Sequence, residues 1–460
     1  MQEFTMRVIV PVAVAVQVLA VAAAHAQTRL WSVRFGTPVY DSPFDLLEDG
    51  QGGVFVSGVS GGLGGPSRQN WLARFDSEGS RQWQVPVGDP GRAGPPTLAP
   101  ASGGVHVLSG FSSALLESYS ESGDRNWSEY LVRTSEAVVA VGDGSEGVYV
   151  AGIDFGFRVS RRDAEGQLVW ETTLPLAEFV EFGGWGWSAD GEGGLLLAGT
   201  TYSPIVAPLT GNSDPWVARV GPDGTLLWVK QRGDWEGIVT LRPVNGGFLQ
   251  GGYGGLTDRS LIGLFDLDGD PIWQTEIDSP MDLETVEDVL ALPDAGVLAL
   301  VQRVPDLRPK WSDDYSTWLV RLDANQNVLW TRNINANSIF IGLRLAPTDA
   351  GGVILAGWVA GPLGGGYVED DSDAFLARYW LCLPDLTSSA VASDPGYGVP
   401  DGRVNNDDFF YYLGQFAAGN AAVCDLTDGS VLGQPGYGTP DGVLNASDFF
   451  YFVDFFVRGC

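Results

Sequence analysis

Trp71-Leu72-Ala73-Arg74-Phe75-Asp76 runs into a turn containing Gly79 and then on to Trp83; upstream, Gly52-Gly53-Val54-Phe55-Val56 opens another apolar run. The segment before the turn alternates polar and apolar residues, as a strand with two different faces must. Its turn has hairpin chemistry. Both halves of this unit recur. The small-residue opening returns at Gly103-Gly104-Val105, Glu146-Gly147-Val148, Gly193-Gly194-Leu195, Gly246-Gly247-Phe248, Ala295-Gly296-Val297 and Gly351-Gly352-Val353. The hairpin ending in tryptophan returns at Trp127, Trp170, Trp228, Trp273 and Trp330, over turns such as Asp163-Ala164-Glu165-Gly166, Pro222-Asp223-Gly224 and Asp268-Gly269. A period of about fifty residues marks a repeat architecture whose units bury their apolar faces on one another.

The count decides the topology. Seven small-residue strands meet only six terminal tryptophan strands. The last unit, Gly352 to Trp380, includes Phe375-Leu376-Ala377-Arg378 and then gives way to another kind of sequence; its missing strand stands at the other end of the chain, as Leu30-Trp31-Ser32-Val33. The tally closes if the N-terminus pairs with the last unit, and closure removes exposed sheet edges. With a lead-in strand such as Val289-Leu290-Ala291-Leu292, each unit holds about four strands. The predicted fold is all-β: a seven-bladed β-propeller over residues 27–381, closed by its N-terminal strand and followed over 382–460 by a small α-helical module of two loop–helix repeats. The hairpins resemble the repeats of quinoprotein-like and WD-like propellers of secreted bacterial proteins. That resemblance implies a fold and no single activity. One tryptophan per blade at one strand position is expected to pack blade against blade.

Composition agrees. The chain has 63 glycines among 460 residues, 11% aromatic and only 18% charged side chains, which suits many short strands and tight turns. With 57 acidic against 26 basic residues the formal net charge is −31, which disfavours nucleic acid and anionic membrane surfaces as partners. At the N-terminus, Arg7 precedes an apolar run from Val8 to Ala24, and Ala24-His25-Ala26 offers a cleavage site, so residues 1–26 read as a secretory signal. No later segment is apolar enough to span a bilayer, and a secreted, extracellular or surface-attached protein is expected.

From Cys382 the sequence repeats with an offset of 40: Asp385-Leu386-Thr387 returns as Asp425-Leu426-Thr427, and Pro395-Gly396-Tyr397-Gly398 as Pro435-Gly436-Tyr437-Gly438. Asp401-Gly402-Arg403-Val404-Asn405 returns as Asp441-Gly442-Val443-Leu444-Asn445, and Asp408-Phe409-Phe410 as Asp448-Phe449-Phe450. Phe409, Tyr412, Leu413 and Phe416 form one helical apolar stripe, repeated by Phe449, Phe452, Val453 and Phe456, with Gly419 and Gly459 ending the two helices. The stripes are expected to pack on each other. Asn405 followed by Asp408 is close to a capping box and would serve without metal.

This tail resembles dockerins, above all the variant of planctomycete-like bacteria that ends in Gly-Cys, as Gly459-Cys460 does. The resemblance implies two Ca²⁺ loops with Asp401 and Asp441 at position five, Gly402 and Gly442 at six, Asn405 and Asn445 at nine, and Asp408 and Asp448 at twelve. Asp385 and Asp425 would replace the early ligands if an insertion carries the Pro-Gly-Tyr-Gly turn. It also implies a cohesin-like or other surface receptor, met by Asn406, Asp407, Ala446 and Ser447 and by the aromatic surface of Phe410, Tyr411, Phe450 and Tyr451. Dockerin-like termini lie close together, so a Cys382–Cys460 disulfide would clamp the module. Cys424–Cys460 is the rival pairing, and a free Cys460 could serve as an attachment point.

Recognised catalytic chemistry is sparse. Beyond the signal only His106 remains, on Val105-His106-Val107, so a His-rich metal centre is excluded and a Ser-His-Asp triad would have to use that residue. Off the repeat register, Trp185, Trp187, Trp235 and Trp311 are candidates for a ligand face. The reading is an exported non-catalytic binding protein, its propeller recognising a glycan or protein. The alternatives are a polysaccharide-active hydrolase or lyase using propeller carboxylates, or a purely structural surface component.

Overall fold

A computed structural model describes residues 29–36, 41–61, 68–89, 94–110, 114–131, 136–153, 157–176, 180–233, 235–254, 259–277, 284–292, 295–303, 316–334, 339–348, 352–360, 372–381, 384–394, 396–398, 404–427 and 442–458. Residues 1–26, expected to be a secretory signal, and Trp311, Asp401, Asp441, Cys382 and Cys460 lie outside these residues.

The chain is a seven-bladed β-propeller followed by helices. In blade one, Asp41–Glu48, Val54–Ser60, Gln69–Phe75 and Arg81–Val87 form a four-stranded antiparallel sheet in chain order. Blades two to six repeat that order. Their inner strands are Thr97–Ala101, Glu136–Gly142, Val180–Ala189, Gly237–Val244 and Glu284–Ala291. Blade seven takes Ile339–Pro347, Gly352–Ala360 and Ser372–Trp380 from the end of the propeller and its outer strand, Arg29–Phe35, from the beginning. Val33 opposite Leu376 and Phe35 opposite Ala374 set the register, and Arg34 forms an ion pair with Asp373. The inner strands of successive blades pack on one another around the ring.

The hairpins close through a repeated device. Asp49 ends the inner strand of blade one, and its Oδ1 accepts the backbone N–H groups of Gln51 and Gly53, both at 2.8 Å. Its other oxygen lies 2.8 Å from Arg74 Nη2 on the third strand. Asp143 with Arg161 and Asp190 with Arg219 repeat the arrangement at 2.8 Å each. The three carboxylates are buried, and a buried charge persists where it is both paired and hydrogen-bonded. These tight turns lie at one end of the ring. Most of the other connections between strands fall outside the described residues.

Two helices follow, Asn406–Ala417 and Ala446–Arg458, with a short turn of helix, Ala421–Cys424, between them. As the apolar stripes predict, they meet face to face: Tyr412 stacks on Phe452 with ring centres 3.8 Å apart. On either side of that stack, Phe409 meets Phe456 at 5.4 Å and Phe416 meets Phe449 at 5.9 Å. The two copies therefore pair reciprocally. One apolar cluster joins Tyr412, Tyr451 and Phe455 of the module to Leu355, Phe375 and Tyr379 of blade seven.

Candidate functional site

At the hairpin end of the ring, five seams between blades are closed by tryptophans. Trp31, Trp83, Trp127, Trp170 and Trp228 each donate the indole N–H to a backbone carbonyl in the next blade's hairpin turn, at 2.8–2.9 Å: Ser77, Glu121, Ala164, Pro222 and Leu267. Each ring also lies against that turn's glycine. These five repeat tryptophans join blade to blade, as their register predicts.

The inner ring is different. Four inner strands carry a bulge at equivalent places, between Pro43 and Asp45, Ile238 and Thr240, Val286 and Asp288, and Gly342 and Arg344. A bulge leaves one residue out of the ladder and re-aims its side chain. The bulged residues are Phe44, Val239, Glu287 and Leu343, all half-buried.

The residues just after the bulges form a buried polar belt that ties blades together. Asp45 Oδ2 accepts the N–H of Leu98 at 2.8 Å from blade two, and Thr97 Oγ1 accepts that of Ala140 at 2.9 Å from blade three. Asp288 Oδ2 accepts the N–H of Leu345 at 2.9 Å from blade seven, and Oδ1 accepts the hydroxyl of Thr240 at 2.9 Å from blade five. Arg242 donates to Asp288 through Nε at 2.9 Å and also through Nη2, and Arg344 lies 3.3 Å from Asp45 and 3.8 Å from Asp288. Burial opposes ionisation of Asp288, but Arg242 and Arg344 hold it below the ordinary carboxylate range. Glu287 differs. Burial, then the adjacent Asp288, push it up to about 7, with Arg344 opposing. A half-buried carboxyl poised near neutrality beside paired charges on the inner strands is the kind of group that marks a site.

Of the tryptophans singled out in the sequence, Trp187 and Trp235 have described side chains, and neither forms that site. Trp235 is 2% exposed; its indole N–H donates to Gln274 Oε1 at 2.8 Å, and it packs with Phe248 and Phe265 between blades, so it is a core residue and not a ligand-face one. Trp187 is half-buried against Val139, Tyr149 and Trp216. Trp185 comes nearest: its backbone lies on the inner ring in register with Thr240. His106 is buried against Trp127, with Nε2 3.2 Å from the Glu146 carbonyl, and burial lowers its pKa. Among the described residues, no Ser-His-Asp arrangement is built on it.

In the module, Asp408 and Asp448 behave alike. Asp408 Oδ1 accepts the N–H groups of Leu386 and Thr387 at 2.7 and 2.9 Å, and Oδ2 that of Asn405 at 2.8 Å. Asp448 does the same with Leu426, Thr427 and Asn445, at 2.7, 2.9 and 2.8 Å. Asn405 and Asp408 complete a capping box. Asn445 Oδ1 accepts the Ser447 N–H at 2.7 Å, and Asp425 Oδ2 that of Gly442 at 2.7 Å. Asp385 is buried. Outward, Phe410 and Phe450 are 60% and 61% exposed, and Asn406 and Ala446 are exposed with Asp407 and Ser447 beside them. Tyr411 is half-buried against Tyr397, and Tyr451 is 1% exposed, packed on Phe455, so Tyr451 supplies core and not partner surface. Cys424 keeps a free thiol, buried beneath Tyr412 and pushed up to about 12 by burial, so the Cys424–Cys460 pairing is not formed.

No protein-family profile matches this chain, and no curated protein matches it. Among solved structures the chain is similar to the WD40 domain of Neurospora crassa Pan2, at 14% identity over 78% of this chain and 95% of that one, with a TM-score of 0.47. It is similar to the β-propeller domain of the Trilobed protease from Pyrococcus furiosus, at 11% identity over 75% and 96%, TM-score 0.47. It is also similar to a protein of unknown function from Bacteroides caccae, at 15% identity over 60% and 92%, TM-score 0.38. The likeness is one of fold.

Chemically, the two regions offer different things. Backbone N–H groups take three of the roughly four lone-pair sites of Asp408 and of Asp448, in the manner of a helix cap, while Asp401 and Asp441 lie outside the described residues. The inner strands offer Glu287, a carboxyl pushed up to about 7, beside charged groups already paired. Sequence reasoning missed Asp45, Thr240, Asp288 and Arg344. The signal was a polar residue interrupting each apolar lead-in strand, as in Val289-Leu290 after Glu287-Asp288.

Proposed function

We propose that this chain is an exported, non-catalytic binding protein, whose propeller recognises a glycan or a protein and whose dockerin-like tail attaches it to a surface or complex through a cohesin-like receptor. Phe410 and Phe450 carry this reading. They occupy equivalent places in the two copies and stand in solvent, while the neighbouring aromatics fill the module's core. Two exposed phenyl rings rimmed by polar residues are the mark of an interaction surface. The experiment is retention of the secreted full chain on its own cells, comparing wild type with Phe410→Ser/Phe450→Ser. Loss of retention with an unchanged melting temperature supports attachment; full retention overturns it.

The rival reading is a polysaccharide-active enzyme. Acid–base cleavage of a glycosidic bond uses two carboxyl groups with separate roles. Beside Glu287, both Asp45 and Asp288 are already engaged by backbone N–H groups and arginines. Incubating the full chain with insoluble polysaccharides separates the readings: retention without new reducing ends supports binding, and new reducing ends establish turnover.

A further inference from the structure

The inner ring holds a second opportunity for recognition, separate from the module. At the bulges of blades one, five and seven the chain presents Phe44, Val239 and Leu343; at the equivalent place in blade six it presents Glu287. Of these four bulged residues one is a carboxylate and three are apolar. Beside them lie Asp45, Asp288, Arg242 and Arg344, whose ion pairs bind those two acids to those two arginines. Ionised Glu287 leaves the patch one negative charge over. An apolar collar with one uncompensated carboxylate is complementary to an alkyl chain ending in a single positive charge: the stem lies along the collar and the cation meets the carboxylate.

We propose that the inner ring of the propeller is a binding site for one alkylammonium group, such as a lysine side chain or a primary amine, with Glu287 as its counter-ion and Phe44, Val239 and Leu343 as its collar. The charges around Glu287 are few. Asp288 adjoins it on its own strand, Arg344 faces it from blade seven, Arg242 stands on the inner strand of blade five and Asp45 on that of blade one. The neighbouring strand Gly247–Gly254 carries no charge, and Arg303 sits at the end of Val297–Arg303, opposite Glu284. Binding a cation requires the ionised carboxyl, so affinity is coupled to proton release and weakens as pH falls below the carboxyl's titration. The site would exist whether or not the loops of the propeller bind a glycan.

The test titrates the full chain with n-butylammonium at pH 8 and pH 5.5 by ligand-observed NMR, with n-butanol and butyrate as the neutral and anionic counterparts. The expected result is saturable binding of n-butylammonium at pH 8, weaker by about tenfold or more at pH 5.5, with n-butanol bound more weakly and butyrate not at all. Glu287→Gln, nearly isosteric, should remove the preference for the cation. Leu343→Lys, which tethers an ammonium inside the collar, should block n-butylammonium. No binding at pH 8, a preference for butyrate, or equal affinity in wild type and Glu287→Gln would overturn the assignment.

Discussion

The indole of Trp83 lies against Gly123 across the seam between blades one and two, its Cδ2 2.8 Å from where a β-carbon on that glycine would stand. The same relation joins Trp31 to Gly79, Trp127 to Gly166, Trp170 to Gly224 and Trp228 to Gly269. Gly123 also has φ +86°, where an L side chain is strained. Gly123→Ala therefore adds a clash to the strain and should cost about 2–4 kcal/mol. Gly103, with φ +64° and open space around its missing β-carbon, isolates the strain, and Gly103→Ala should cost about 1 kcal/mol. Urea unfolding of both variants checks the difference; equal losses would show that the indoles yield freely.

Removing Arg29–Phe35 should leave the strand Ser372–Trp380 with an unpaired edge, and such an edge recruits other chains. The truncated protein is expected to associate. A synthetic peptide of that strand should return it to a monomer by light scattering. A monomeric truncation with unchanged hydrogen exchange at Phe375 and Leu376 would mean the seventh blade is complete without it.

Glu287 makes stability depend on pH in a stated direction. Its folded carboxyl titrates near 7, above the ordinary glutamate value of 4.5. The folded state therefore holds the proton more tightly, and stability present below about pH 4.5 is lost as pH rises through 7. Glu287→Gln should be more stable than wild type at pH 8, and the gap should close on acidification. Melting temperatures of the pair at pH 5 and pH 8 decide it; a gap independent of pH would assign the effect to packing.

Asp408→Asn and Asp448→Asn should each destabilise the module by about 1–3 kcal/mol, since each replaces a carboxylate accepting three backbone N–H groups. Because backbone donors satisfy these groups, chelation with EDTA should leave the far-ultraviolet circular dichroism unchanged. A calcium-dependent rise in helix content would reassign both aspartates as ligands.

The propeller was legible because its signals are local and repeated: a glycine turn, an alternating strand and one tryptophan, with the odd strand at the far end closing the count. The helical stripes were legible for the same reason, and Tyr412 meets Phe452 as their spacing requires. The inner ring was not. A bulge shifts the register by one residue, and no local pattern in Val286-Glu287-Asp288-Val289 announces which carboxylate faces an arginine from another blade. Trp235 misled because it follows a blade end and reads as a loop residue, yet Gln274 and the cluster around Phe248 draw it inside. Tyr451 misled because adjacency to an exposed phenylalanine says nothing of the next step around a helix, which points it toward Phe455.

Arg34 and Asp373, joined as an ion pair at the closing seam, are 339 positions apart. The first strand of the ring to leave the ribosome must therefore wait, without its partner strand, until nearly the whole propeller has followed. Bringing such distant segments together carries the largest loop-closure entropy the ring can present. Completion of the seventh blade then acts as a check on chain length: any product cut short before Ser372 keeps a loose N-terminal strand that proteases can seize, and the helical tail emerges only on chains long enough to have closed the circle.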